Sequence, residues 1–219
     1  MEVAPKRAFA SALDWPGWSR SGKTPDEAIA ALLEYAPRYA RVAKRAKVAF
    51  KPPATPRGVD IVERPKGGSG TEFGVPGSPT KSEDEDPSSA ELRRLVALLE
   101  AAWASFDAAA RAAKGATLTT GPRGGGRSRE KMIGHVLEAE VAYLGQLGSR
   151  PPDRPSDAAR ALPVVRDAFI ETLKARVAGG PLPNPRNTKK PWSPRYTVRR
   201  SAWHSLDHAW ELEDRSKRR

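Results

Sequence analysis

The sequence predicts an α+β protein: a small α/β module over residues 1–65, a linker over 66–87, and an all-α four-helix bundle over 88–219. Three observations carry this expectation. Short strand-like segments surround one strongly signalled helix in the first third of the chain. A Gly-, Pro- and Ser-rich stretch, RPKGGSGTEFGVPGSPTKSEDEDPSSA at 64–90, then replaces apolar periodicity with turn chemistry and an acidic run. After it, four segments of similar length repeat apolar residues at helical spacing, the pattern of a bundle.

In the first module, Arg7–Leu13 alternates as a strand does, and DWPGW at 14–18 reads as a turn with two aromatics. TPDE at 24–27 supplies Thr24 as N-cap, Pro25 at the first helical position and Glu27 three residues after the cap, a capping box. The helix that begins there carries Ile29, Leu32, Leu33 and Ala36 on one side, and Arg38, Arg41, Lys44, Arg45 and Lys47 further on. Pro37 bends or restarts it, because a proline within a helix removes a backbone hydrogen bond. VAF at 48–50 and VDIV at 59–62 read as short strands, and Thr71–Val75 as one more inside the linker.

The second module reads as helix after helix. Ser88 or Ser89 caps the first, whose Leu92, Leu95, Val96, Leu99, Trp103 and Phe106 share a face up to about Lys114. The second spans roughly Ser128–Leu147, entered from the glycine-rich GPRGGGR and stopped by Gly148. The third spans roughly Ser156–Ala178, and the fourth starts near Thr197, after PLPNPRNTKKPWSPRY, and runs to about Ser216.

Composition limits the chemistry. There is no cysteine, so there are no disulfides, thiolate ligands or cysteine nucleophiles, and a metal must be held by histidine, carboxylate or water. The first residues are mixed and charged, unlike a secretory leader, and no stretch is apolar enough to span a membrane, so a cytoplasmic protein is expected. A net charge of +12 invites a nucleic-acid reading, yet the basic residues are spread along the chain.

Only three histidines occur, His135, His204 and His208. At about 100° per residue, the fourth helix has Ala202, Leu206, Ala209 and Trp210 on one stripe, with Trp203 at its edge. Roughly opposite lie Thr197, Arg200, His204, Asp207, His208, Glu211 and Arg215. That polar stripe is either a solvated face with a Glu211–Arg215 pair, or a metal-binding face, since imidazoles at i and i+4 reach one ion but need a third ligand. The third candidate is His135. Its phase matches Ala139, Ala142 and Gln146 rather than the apolar centre at Ile133, Val136, Leu137 and Leu144, so it faces either solvent or a crevice beside small residues.

GHVLEAEVAYL at 134–144 and VRRSAWHSLDHAWELEDR at 198–215 resemble the second- and fourth-helix segments of the DinB-like family of metal-binding four-helix bundles. That family includes thiol-dependent S-transferases and mycothiol-dependent maleylpyruvate isomerase. The resemblance covers about residues 88–216 and places its three ligand histidines at His135, His204 and His208. It implies a divalent metal, zinc or nickel first, with a coordination position left open for chemistry, and a reaction in which a low-molecular-weight thiol is the co-reactant. In the first module, ALDWPGWSRSGKTPDEAIAALLEYA at 12–36 is similar to the partial RNase-H-like fold of HicB-type antitoxins, which implies a fold and an interaction role.

Around the histidines, Arg200 either binds an anionic group of a substrate or pairs with Asp207 or a backbone carbonyl. Asp207 or Glu211 either orients a ligand imidazole or is a surface charge. Trp203 and Trp210 belong to the core, whereas Trp192 and Tyr196, in the loop before the fourth helix, are candidates for lining a site mouth. Two functions follow as expectations. One is a metal-dependent transferase or isomerase acting on a small molecule with a thiol. The other is a non-catalytic protein that binds a protein or nucleic-acid partner through its basic first module. In either case the first module can pack on the bundle to shape its pocket or a homodimer interface.

Overall fold

A computed structural model describes residues 1–121 and 126–216 of the chain. It is mixed: a three-stranded antiparallel sheet at the N-terminus and seven α-helices among the described residues. The strands are β1 (Glu2–Ala4), β2 (Arg7–Ser11) and β3 (Ser19–Gly22), paired in sequence order with Phe9 opposite both Glu2 and Ser21. The expected strand at 7–13 is therefore present but ends at Ser11, three residues before the DWPGW turn. Within that turn Gly17 has φ +90, and a Cβ there would meet Leu206 Cδ1 at 2.7 Å, so glycine lets the turn seat directly on the last helix.

The Thr24 cap forms as expected, but the reciprocal half of the capping box shifts by one residue, from the Thr24 amide to that of Lys23. Thr24 accepts from the Glu27 amide at 3.2 Å and opens α1 (Pro25–Glu34), while the Glu27 carboxylate reaches back to the Lys23 amide at 2.8 Å. Pro37 restarts the chain as α2 (Ala36–Arg45). The segments 48–50 and 59–62 are not strands. Pro52, Pro53 and Pro56 remove donors that a ladder would need, and Phe50 anchors instead by its ring against Trp15, Trp18 and Tyr39.

The 66–87 segment is a strap rather than a free tether. Lys66 bridges to Val3, and the buried Glu2 carboxylate accepts from the Thr71 hydroxyl and the Gly77 and Ser78 amides. Its one regular piece is a helix, α3 (Ser69–Phe73), where a strand was expected; Gly74 ends it in the left-handed region. Glu83, the head of the acidic run, is buried against Arg199.

Four long helices follow: α4 (Ser89–Ala112), α5 (Arg129–Leu147), α6 (Ala158–Ala178) and α7 (Pro194–Arg215). Ser88, Ser128, Asp157 and Ser193 cap them in turn. α7 starts one turn before Thr197, because Pro194 occupies the first helical position rather than ending a loop. Part of the glycine-rich entry to α5, residues 122–125, lies outside the described residues.

α7 packs on α4 and α5, α5 on α6, and α2 on α4. From Tyr196 to Trp210 every residue of α7 is buried except Asp207, so its polar stripe is not a solvated face. One apolar cluster joins both ends of the chain, from Trp18, Leu32 and Tyr39 to Leu99, Trp103, Phe169, Leu206 and Trp210. At ~25 cal/mol per Å² of apolar area, large rings shared this way bind the N-terminal module firmly to the long helices. Among the described residues no helix is long and apolar enough to cross a membrane.

Candidate metal centre

Two adjacent turns of α7 and the first turns of α5 bring the three histidines together. One nitrogen from each of His135, His204 and His208 lies within 4.8 Å of the others, close enough to hold a metal ion. His204 Nε2 and His135 Nε2 are 3.1 Å apart, and the three ring centroids are separated by 4.6 to 5.0 Å. Two imidazole nitrogens on one tetrahedral ion at about 2.0–2.1 Å would lie about 3.3–3.4 Å apart, so the His135–His204 spacing is compatible with a shared ion as well as with a hydrogen bond.

Burial and charge favour lone pairs over protons here. His204 and His208 are each 8% exposed, and His135 is half-buried, the point at which the cluster meets solvent. Desolvation, followed by the neighbouring imidazoles and Arg200, holds the His204 pKa well below its ordinary value. Desolvation and His208 pull His135 down to about 4. Both rings are therefore neutral near pH 7, the state a metal requires.

The tautomer of His208 follows from its partner. Its Nδ1 donates to Glu211 Oε2 at 3.0 Å, which leaves Nε2 as the lone-pair nitrogen. Glu211 is lowered in pKa first by that bond and also accepts from Arg215 Nη1 at 2.8 Å. Arg215 is held in turn by the carbonyls of Thr119 and Arg127. A carboxylate behind a histidine in this way fixes ring orientation and raises ligand basicity. His204 differs: its Nδ1 is buried with no partner among the described residues.

Of the two candidate orienting acids, only Glu211 is placed to act. Asp207 turns to the other side of α7 and pairs with Arg20 of β3 at 3.1 Å. Of the two structural partners expected for Arg200, Asp207 or a backbone carbonyl, it is the carbonyl that the structure provides. Arg200 is buried and donates to the Pro76 carbonyl at 3.2 Å and the Tyr143 hydroxyl at 3.4 Å. Trp192 reaches the cluster only through Tyr143, whose ring lies 5.5 Å from it and 6.0 Å from His204. Tyr196 does not line the site: it is buried, and its hydroxyl donates to the Gly77 carbonyl of the strap at 2.6 Å. Trp203 and Trp210 are core residues as expected.

Two participants were not picked out from the sequence. Tyr143 lies two turns after His135 on α5, a spacing that could have flagged it. Glu140 is 1% exposed and accepts from Arg166 Nε at 3.0 Å, Arg166 Nη2 at 3.2 Å and Ser205 Oγ at 3.4 Å; Asp107 of α4 holds the same guanidinium. This network ties α4, α5, α6 and α7 together beside the histidines, and its signal was that Glu140, unlike Glu138, falls midway between Val136 and Leu144 on the apolar face at i+4 spacing. A separate cavity of about 390 Å³, between the turn after β2, α1 and the 51–63 segment, is lined by Trp15, Ile29, Leu32, Pro53 and Ile61 and includes no histidine.

Comparison with protein-family models, curated proteins and solved structures finds no match to this chain.

Proposed function

We propose that the chain is a DinB-like metalloprotein in which α4–α7 form the family's four-helix bundle and His135, His204 and His208 hold one zinc or nickel ion. The observation that carries this reading is the convergence of all three histidines, from helices distant in sequence, with Glu211 braced behind His208. The donor set is all imidazole, which suits zinc, nickel or iron over magnesium or calcium. An ion held by three protein ligands supplies a Lewis acid and lowers the pKa of a coordinated water or thiol. His135, at the solvent side, is the point from which a small molecule would approach. The activity this supports is transfer or isomerisation with a low-molecular-weight thiol. The test is conjugation of a fluorogenic electrophile with a panel of small thiols by zinc- or nickel-loaded protein. Turnover that disappears with a chelator and in His204→Ala is expected; no turnover with any thiol, in protein shown to be metal-loaded, would sink the transferase version.

A second reading has its own observation. Between Tyr35 and Val59 there is no acidic residue, and Arg41, Lys44, Arg45, Lys47, Lys51 and Arg57 are exposed and make no ion pair among the described residues. Such a surface would bind nucleic acid by counterion release, with affinity that falls steeply with salt and survives His204→Ala. Anisotropy titrations of labelled DNA and RNA at two salt concentrations test it; no binding at low salt would remove it.

A further inference from the structure

Four arginines are buried among the described residues: Arg166, Arg199, Arg200 and Arg215. Three of them face carboxylates, Arg166 on Glu140 and Asp107, Arg199 on Glu83, and Arg215 on Glu211. Arg200 faces none. Its Nη1 donates to the Pro76 carbonyl at 3.2 Å, its Nη2 to the Tyr143 hydroxyl at 3.4 Å, and its buried Nε has no partner. The rings of Trp203 and Tyr143 flank it at 5.1 and 5.7 Å. Ring faces offset part of the desolvation of a guanidinium, but a buried charge without a counter-charge remains costly.

The position of this unmatched charge is specific. Arg200 precedes His204 by one turn of α7, roughly 6 Å along the axis, and Tyr143, whose hydroxyl accepts from its Nη2, has its ring 6.0 Å from and nearly perpendicular to that of His204. Glu211, the carboxylate bonded to His208, is already matched by Arg215. A divalent ion at the histidines would therefore raise the positive charge of a buried site that has no free anion of its own.

We infer that the site takes a two-ended small molecule: one end reaches the histidine centre and the other is a carboxylate received by Arg200. This rests on the metal reading above and names the class of ligand for it. The free Nε–H and the neighbouring Nη2–H form the side-on fork that fits a carboxylate. The Tyr143 contact is at the long limit of a hydrogen bond, so a ligand oxygen replaces it at small cost. The distance between the two ends is short, about one helical turn.

The test uses the full chain loaded with Co²⁺, whose visible spectrum reports both metal uptake and thiolate coordination. 3-Mercaptopropionate is titrated against 3-mercaptopropionamide, which has the same shape without the charge. The acid is expected to bind about tenfold more tightly than the amide, and Arg200→Gln to bring the two within about twofold while still taking up cobalt. Arg200→Lys, which keeps a buried cation and so guards against loss of the fold, is expected to retain only about a threefold preference, because an ammonium has no fork. Cobalt uptake with equal affinity for acid and amide, or an undiminished preference in both variants, overturns the carboxylate assignment and leaves the metal reading standing. No cobalt uptake by the parent protein overturns the metal reading and this assignment with it.

Discussion

His204 Nε2 and His135 Nε2 lie 3.1 Å apart, although 69 residues separate them in the chain. Two neutral imidazoles this close are joined either by an Nε2–H···Nε2 hydrogen bond, its direction set by their tautomers, or by a shared cation, while burial disfavours charging either ring.

That disfavour has a sign that can be measured. The folded-state pKa of His135 is lowered to about 4 and that of His204 is also lowered, both from 6.5 and both first by desolvation. Below pH 6.5 the unfolded chain therefore binds protons that the folded chain refuses. Their contribution to stability is complete above pH 6.5 and is lost as pH falls from there toward 4. Urea midpoints of metal-free protein should drop across this window, and those of the His135→Ala/His204→Ala variant should drop less. Equal slopes would show that these rings are protonated in the folded state.

Glu211→Gln removes the negative charge behind His208 Nδ1 and leaves a weaker amide acceptor of nearly the same shape. Loss of such an orienting carboxylate costs about 10–100-fold in metal affinity, and chelator competition should show a drop of that order. Asp207→Asn, whose carboxylate faces Arg20, should leave metal affinity at the parent value.

Arg166→Met strands Glu140, whose carboxyl burial pushes up in pKa, and so should destabilise by about 3–5 kcal/mol in urea melts. Adding Glu140→Leu should recover most of the loss, since it is the unpaired buried carboxylate that is costly. No recovery would mean that the network contributes through geometry rather than charge.

Gly17→Ala puts a side chain in the left-handed region and against Leu206 at 2.7 Å, so it should cost roughly 1–3 kcal/mol. Leu206 lies two residues after His204, so the same variant should also weaken metal binding if the turn positions α7. Unchanged metal affinity would confine the role of the turn to stability.

The long helices were legible because their ends carry local chemistry: Ser88 and Ser128 before the apolar repeats, Gly148 and Gly179 after them. The start of α7 was not, since Pro194 in a proline-rich stretch reads as loop until its first-turn role is seen. β1 and β3 are three and four residues long, too short to show a period, and the Thr-Glu-Phe-Gly-Val alternation imitated a strand where Gly68 and Gly74 bound a single helical turn. The histidines were identifiable from spacing and resemblance, whereas the direction of His135 was not. Its helix buries polar residues, Glu140 and Tyr143, so a phase drawn from apolar residues misplaces the seam. The choice between Asp207 and Glu211 depended on Arg20, 187 residues from Asp207, which no local pattern contains.

Metal stoichiometry tests the central claim most directly. Tag-free protein purified without chelator, reloaded with zinc or nickel and dialysed, is measured by elemental mass spectrometry beside the His204→Ala/His208→Ala variant. About one ion per chain in the parent and none in the variant is the predicted result. No metal in the parent after reloading, with the variant equally stable, would contradict it and move the basic α2 surface to the front.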